Sequence, residues 1–213
     1  MLTESQWIDK LRLYREDPWA FLSECVYTLD QTDEVNPIKP FPKHLDYLKL
    51  YVRIWQREKR IAVPKSRRMF MSWVNIGLYT WDTMFHFGRH NAFVSKKEDD
   101  ADDLVKRAKF ILDHIPEEKL PKQFLAKYDY TFAKLKFPEL NSLIQGFPQG
   151  ADQLRAYTLS GILADEIAFW EEAQKMYSAS FPTLEGGGRF TAISSPAPGF
   201  FQRMVFDKMD VAV

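Results

Sequence analysis

From Arg60 onward, short apolar runs of strand length alternate with segments whose apolar residues recur at helical spacing, and this alternation limits the possible folds more than any other feature. Residues 60–63, 91–95, 158–164 and 189–194 read as strands, and residues 72–85, 97–114 and the stretch around 167–180 read as helices. Such alternation predicts βαβ units and a mainly parallel sheet between helices. Strands buried in a parallel sheet are near-continuous apolar runs, and their carboxyl ends are where such sheets place ligands. Residues 134–149 break the pattern. There Phe137-Pro138-Glu139-Leu140-Asn141-Ser142 sets turn residues between two strand-like pieces, which predicts a hairpin.

Upstream the chain reads as helical. Thr3 and Gln6 form a capping-box pattern ahead of Trp7, Ile8, Leu11 and Tyr14. Asp17-Pro18 looks like an N-cap with proline at the first helical position, followed by an apolar face of Phe21, Leu22, Cys25, Val26 and Leu29. Residues 31–42, with three prolines and mixed charge, read as a linker, and Leu45, Leu48, Val52 and Trp55 mark a helix over 43–56. The expected organisation is a small helical subdomain over residues 1–33 and a core over residues 34–213.

With 213 residues, 46% of them hydrophobic and 15% aromatic, the chain can bury one substantial core, and its composition argues against intrinsic disorder. Basic and acidic residues both number 29, so contact with a polyanion needs a local patch, for which Arg53, Arg57, Lys59, Arg60, Lys65, Arg67 and Arg68 are candidates. A single cysteine, Cys25, excludes an internal disulfide and a cysteine-based zinc site. The histidines His44, His86, His90 and His114 show no paired ligand spacing, and the composition suits a reducing cytoplasm. The most apolar stretch, residues 69–85, is interrupted by Ser72, Asn75 and Asp82 and reads as a buried helix, not a membrane span. Residues 1–15 are amphipathic and carry acids, unlike a signal or transit peptide.

Two segments carry chemistry. The run Leu159-Ser160-Gly161-Ile162-Leu163-Ala164 ends abruptly in Asp165-Glu166. Two carboxylates at a strand's carboxyl end can hold a Mg²⁺ on nucleotide phosphates and take a proton from an attacking water, or simply cap the next helix. The segment Val63-Pro64-Lys65-Ser66-Arg67-Arg68-Met69-Phe70-Met71-Ser72 follows a strand and opens a helix, where phosphate-binding loops sit. It departs from the usual glycine-rich pattern, because Phe70 and Met71 stand where Gly and Lys precede the hydroxyl residue. A lysine at the loop's entrance, Lys65, can reach the β- and γ-phosphates from the other side, and Ser72 keeps a hydroxyl for the metal. The same residues also read as a basic surface turn.

In this order the segments resemble the ATPase domain of tailed-bacteriophage terminase large subunits, over roughly residues 40–196. Many members of that family carry a deviant loop, Lys-Ser-x-Arg-x-Gly-x-Ser, which Lys65, Ser66, Arg68 and Ser72 match, with Phe70 in the glycine's place. Pro40-Phe41-Pro42-Lys43-His44-Leu45 is similar to the family's adenine-recognition element, which implies nucleotide contacts by Phe41 and His44. Arg155 matches an arginine that in related motors acts in trans on a neighbouring subunit's ATP, and a plain salt-bridging arginine is the alternative. Asp165 and Glu166 match the metal-associated aspartate and the catalytic glutamate. Thr191-Ala192-Ile193-Ser194-Ser195-Pro196 resembles the coupling motif that senses the γ-phosphate, through Ser194 and Ser195, although Ser-Ser-Pro is also an ordinary strand-ending turn.

The resemblance implies an α/β fold of the ASCE P-loop NTPase type, with a mainly parallel central sheet flanked by helices. It implies ATP and Mg²⁺ as cofactors, Lys65, Ser66, Arg67 and Arg68 on the phosphates, Ser72 and Asp165 on the metal, and Glu166 on the water. The expected function is ATP hydrolysis driving double-stranded viral DNA into a procapsid. Expected partners are double-stranded DNA, the portal protein and the small terminase subunit, with a homo-oligomeric ring as the working form, no membrane contact and the host cytoplasm as location. Family members carry an RNase H-type nuclease after the ATPase; only a short stretch follows Pro196, so no nuclease activity is expected of these residues. A helicase-like DNA translocase unrelated to packaging and a non-hydrolysing DNA-binding or scaffold module remain open. Glu166 argues against the latter, since a dead site has no use for a general base.

Overall fold

The computed structural model of the chain describes residues 3–184, 186–207 and 209–213, so Met1 and Leu2 of the N-terminal reading lie outside the described residues. The capping box forms. The Gln6 amide donates to Thr3 Oγ1 at 3.3 Å and the Thr3 amide to Gln6 Oε1 at 2.8 Å, which starts α1 (Glu4–Glu16). Asp17 accepts from the Trp19 amide at 2.8 Å and Pro18 takes the first position of α2 (Pro18–Cys25).

The stretch read as a linker contains a strand. β1 (Tyr27–Leu29) and β2 (Ile38–Pro40) pair antiparallel, and the turn between them is closed by Asp33, whose carboxylate accepts from the Val35 and Asn36 amides and pairs with Lys39. The boundary drawn at residue 33 falls inside this turn. α3 (Asp46–Arg57) then leads to β3 (Arg60–Pro64), α4 (Met71–Phe85), β4 (His90–Ser95) and α5 (Glu98–Asp113). The expected hairpin is β6 (Lys134–Phe137) with β7 (Ser142–Pro148), and β5 (Asp129–Thr131) extends it by one strand. The chain closes with α6 (Ala151–Arg155), β8 (Gly161–Asp165), α7 (Ala173–Leu184), β9 (Arg189–Ser194) and α8 (Phe200–Phe206).

The main sheet has seven strands in the order β3-β9-β8-β4-β7-β6-β5, parallel from β3 to β7 and antiparallel beyond. Helices cover both faces. Tyr14, Phe21 and Leu22 join Leu48, Ile76, Leu78, Phe93, Ile111 and Leu163 in one core, so α1 and α2 share the core of α4 and α5. Leu154, Met176, Phe190, Phe201 and Met204 form the core on the other face, beneath α6, α7 and α8.

One contact between the helical layer and the sheet sets the site. Gly161 in β8 leaves room for Tyr79 of α4, since a Cβ there would lie 2.5 Å from the Tyr79 ring. The buried Tyr79 hydroxyl donates to the Ile162 carbonyl at 2.8 Å and lies 3.0 Å from Thr191 Oγ1, which locks α4 onto β8 and β9. The helix expected around 167–180 starts later than its apolar spacing suggests. Glu166 adopts a left-handed φ of 54°, a single 3₁₀ turn follows at Ile167–Phe169, and α7 begins only at Ala173.

Candidate nucleotide-binding site

β3, β9 and β8 are adjacent and parallel, with Pro64 opposite Ser194 and Asp165 opposite Ile193. The three segments that leave these strands therefore emerge side by side at the sheet's carboxyl edge. The Lys65 amide donates to the Ser194 carbonyl at 2.9 Å and the Glu166 amide to the Ile193 carbonyl at 2.8 Å, which ties the three together at the backbone.

The loop between β3 and α4 turns on two left-handed residues, Arg68 (φ 63°) and Phe70 (φ 55°). Such a conformation costs a non-glycine residue about 1–3 kcal/mol and is held by its surroundings. Phe70 occupies the position of the family pattern's glycine, and its half-buried ring packs against the main core beside Trp73. The loop is braced twice at Met69, whose carbonyl accepts from the Tyr47 hydroxyl at 3.2 Å and whose sulfur lies 3.4 Å from the Ser66 amide. α4 then starts at Met71, so its unpaired N–H groups and the positive end of its dipole face the loop.

At the start of α4 the Ser72 hydroxyl donates to Asp165, 3.2 Å and 3.4 Å from its two oxygens. Asp165 is 8% exposed, and burial pushes its carboxyl up to about 6, with Glu166 adding to the rise and Lys65, Arg107 and Ser72 opposing it. Glu166 forms an ion pair with Lys65 and accepts from the Ser195 amide at 3.1 Å and the Ser194 hydroxyl at 3.3 Å. Burial acts upward on Glu166 as well, but Lys65, Ser195 and Ser194 outweigh it and hold this carboxyl below its ordinary value. Adjacent carboxylates whose environments drive them apart suit two different tasks. The hydroxyl of Ser72 and the carboxylate of Asp165 are hard oxygen donors, a pair suited to a small divalent cation that completes its shell with water and phosphate. Among the described residues no cluster of three or more His, Cys, Asp or Glu side chains offers an all-protein metal cage.

A cleft of about 1010 Å³ opens from this edge. Lys65, Ser66, Arg68 and Ser72 line one end, and Phe41 and His44 line the other beneath the β1–β2 hairpin. Phe41 is buried with its ring edge-on to Trp19 at 6.0 Å, while His44 is exposed at the rim. Arg67 is exposed and lies outside the cleft wall. Arg155 also lies elsewhere, on α6, lining a surface depression with Glu171 and Glu172. The structure thus brings together Lys65, Ser66, Arg68, Ser72, Asp165, Glu166, Ser194 and Ser195 and sets Arg155 apart. It also adds Arg107 of α5, which no motif marks, to the cleft wall.

The strand order has a class meaning. β9 is inserted between β3, which leads into the loop before α4, and β8, which ends in the acidic pair, and this is the fold of the ASCE P-loop NTPases. Within that class the chain has the fold of phage large-terminase ATPase domains. It resembles a point mutant of the Thermus phage P74-26 large terminase ATPase domain, with a TM-score of 0.57, 16% identity, and coverage of 74% of this chain and 67% of that one. The large terminase of bacteriophage HK97 matches with a TM-score of 0.63 at 10% identity over 91% of this chain and 40% of that one. A large terminase from a thermophilic bacteriophage, in complex with ADP, matches with a TM-score of 0.58 at 15% identity over 79% of this chain and 42% of that one. The chain thus spans well under half the length of the last two. No protein-family model and no curated protein matches the sequence.

Proposed function

We propose that this chain binds ATP with Mg²⁺ in the cleft and hydrolyses it as the motor of a terminase that drives double-stranded DNA into a procapsid. The observation that carries this reading is the convergence of Lys65, Ser72, Asp165, Glu166 and Ser194 at three adjacent strand ends, in a fold shared with a terminase that binds ADP. Phe41 and His44 hold the base end, Ser66 and Arg68 support the phosphates, and Ser72 and Asp165 hold the metal, which supplies charge neutralisation on the phosphate oxygens. Arg67 is exposed and serves the phosphates only if the loop closes.

The chain's own steps follow from its hydrogen bonds. Lys65, paired with Glu166 without nucleotide, transfers its charge to the phosphates when ATP enters. Glu166, still held by the Ser195 amide and the Ser194 hydroxyl, is then left to orient a water and take its proton. Because Ser194 ends β9 and Ser195 follows it, a change at the γ-phosphate acts on that strand directly. Arg155 does not line the cleft, and in this reading it acts on a neighbouring subunit's nucleotide in a homo-oligomeric ring. The portal protein, the small terminase subunit and the host cytoplasm complete the proposal on the strength of the terminase fold. No described helix is long and apolar enough to cross a membrane.

Binding of a fluorescent ATP analogue, followed by a phosphate-release time course with and without Mg²⁺ and duplex DNA, tests the reading. Mg²⁺-dependent binding and turnover support it. Nucleotide binding without turnover under any condition of assembly or DNA replaces it with a non-hydrolysing DNA-binding module, and no binding at all overturns it.

A further inference from the structure

Arg107 lines the cleft, yet it belongs to α5 and follows no nucleotide-binding motif. Its guanidinium lies 5.7 Å from the centre of the Trp73 ring, and Trp73 directly follows Ser72 at the start of α4. The same indole packs edge-on to Phe110, three residues further along α5, at 5.8 Å. Trp73 is therefore a fixed platform between the two helices, and cation–π attraction holds the guanidinium over it. Two other cations of the cleft wall already have partners, Lys65 with Glu166 and Lys39 with Asp33. Arg107, among the described residues, makes no ion pair and no hydrogen bond, so its fork of five donors is oriented but unengaged. Its charge nonetheless reaches the site, since it is one of the groups opposing the rise of the Asp165 carboxyl. A planar, weakly hydrated fork held on an aromatic ring beside a metal-binding serine is suited to the oxygens of a phosphate chain.

We propose that Arg107 is an in-chain phosphate-binding residue, donating from its Trp73 platform to non-bridging oxygens of the nucleotide bound in the cleft. The inference rests on reading the cleft as a nucleotide site. It separates two arginines of this molecule: Arg107 lines the cleft and acts on its own subunit's nucleotide, whereas Arg155 lines a different depression.

The test is calorimetric titration of the whole chain with MgATP and MgADP, in the wild type and in Arg107→Met, Arg107→Gln and Arg107→Lys, with thermal unfolding of each variant without nucleotide. Met and Gln keep an unbranched stem over Trp73 and lose the charge, so affinity is expected to fall about 10- to 100-fold, the worth of a charge-assisted pair. Lys should restore part of it, as a point charge without the fork. The salt dependence of binding should flatten in the uncharged variants, a change that a merely structural role would not produce. Wild-type binding with Met and Gln variants within twofold of it overturns the role of Arg107 alone. Absence of nucleotide binding in the wild type overturns both this role and the nucleotide reading of the cleft. Two uncharged variants are included so that a folding defect in one leaves the other to decide.

Discussion

Glu166→Gln separates the two tasks that the proposed mechanism gives to one carboxylate. In the wild type Glu166 pairs with Lys65 and accepts from the Ser195 amide at 3.1 Å and the Ser194 hydroxyl at 3.3 Å. A glutamine's amide oxygen can keep the last two bonds, so the side chain stays in place, but its amide nitrogen cannot accept from Lys65. Lys65 is thereby released before nucleotide arrives. The Glu166 side chain is 39% exposed, so solvent screening limits the lost pair to about 1 kcal/mol, which corresponds to ATP binding tighter by at most about fivefold. The same change removes the proposed general base, and hydrolysis should fall by about 10²- to 10⁴-fold. Calorimetry with MgATP reads the first effect and single-turnover phosphate release the second. Turnover within threefold of wild type refutes Glu166 as the base, and binding weaker by tenfold or more refutes a competition between Glu166 and phosphate for Lys65.

Lys65→Ala should abolish measurable turnover in the same assay. Met71→Leu should leave it intact, whereas Met71→Ala should destabilise the fold by about 2–5 kcal/mol in urea unfolding, because Met71 is buried at 4% exposure where a conventional loop has its lysine. Arg155→Ala subunits with intact Glu166 should regain ATPase activity when mixed with Glu166→Gln subunits that retain Arg155, and mixed assemblies with no recovery at any ratio refute action in trans. Asp165's contribution to the stability of the metal-free chain should be lost as pH rises from about 4 to about 6. In that window Asp165, raised to about 6, holds a proton in the folded state that the unfolded chain, with an ordinary aspartate near 4, has released. The loss amounts to up to about 3 kcal/mol, and Asp165→Asn should abolish its contribution to urea midpoints measured in EDTA.

The parts of this fold readable from sequence are those that local physics decides. β3, β4, β8 and β9 are buried on both faces of a parallel sheet, so they show as short apolar runs whatever their neighbours are. β1 and β2 are three residues each and lie outside the main sheet; β2 falls among Pro37, Pro40 and Pro42 and reads as linker, while β1 reads as the end of the second helix because Val26 and Leu29 continue its apolar spacing past Cys25. The spacing of Ile167, Ala168 and Phe169 suits a helix, but the left-handed turn at Glu166 redirects the chain and delays α7 to Ala173. That turn has a use, since it keeps the Glu166 amide on the Ile193 carbonyl while its carboxylate faces Lys65 and Ser195. Arg107 is invisible in the sequence for a different reason: its place in the cleft depends on how α5 packs on α4, and no local pattern records that contact. The order of Lys65, Asp165, Glu166 and Ser194 along the chain is equally silent about which strands touch. Only the insertion of β9 between β3 and β8 sets Ser194 between Lys65 and the acidic pair, with its carbonyl on the Lys65 amide and its hydroxyl on Glu166. A displacement at the end of β9 therefore cannot move the lysine's anchor without also moving the glutamate's, so the geometry of the site and the position of that strand change together.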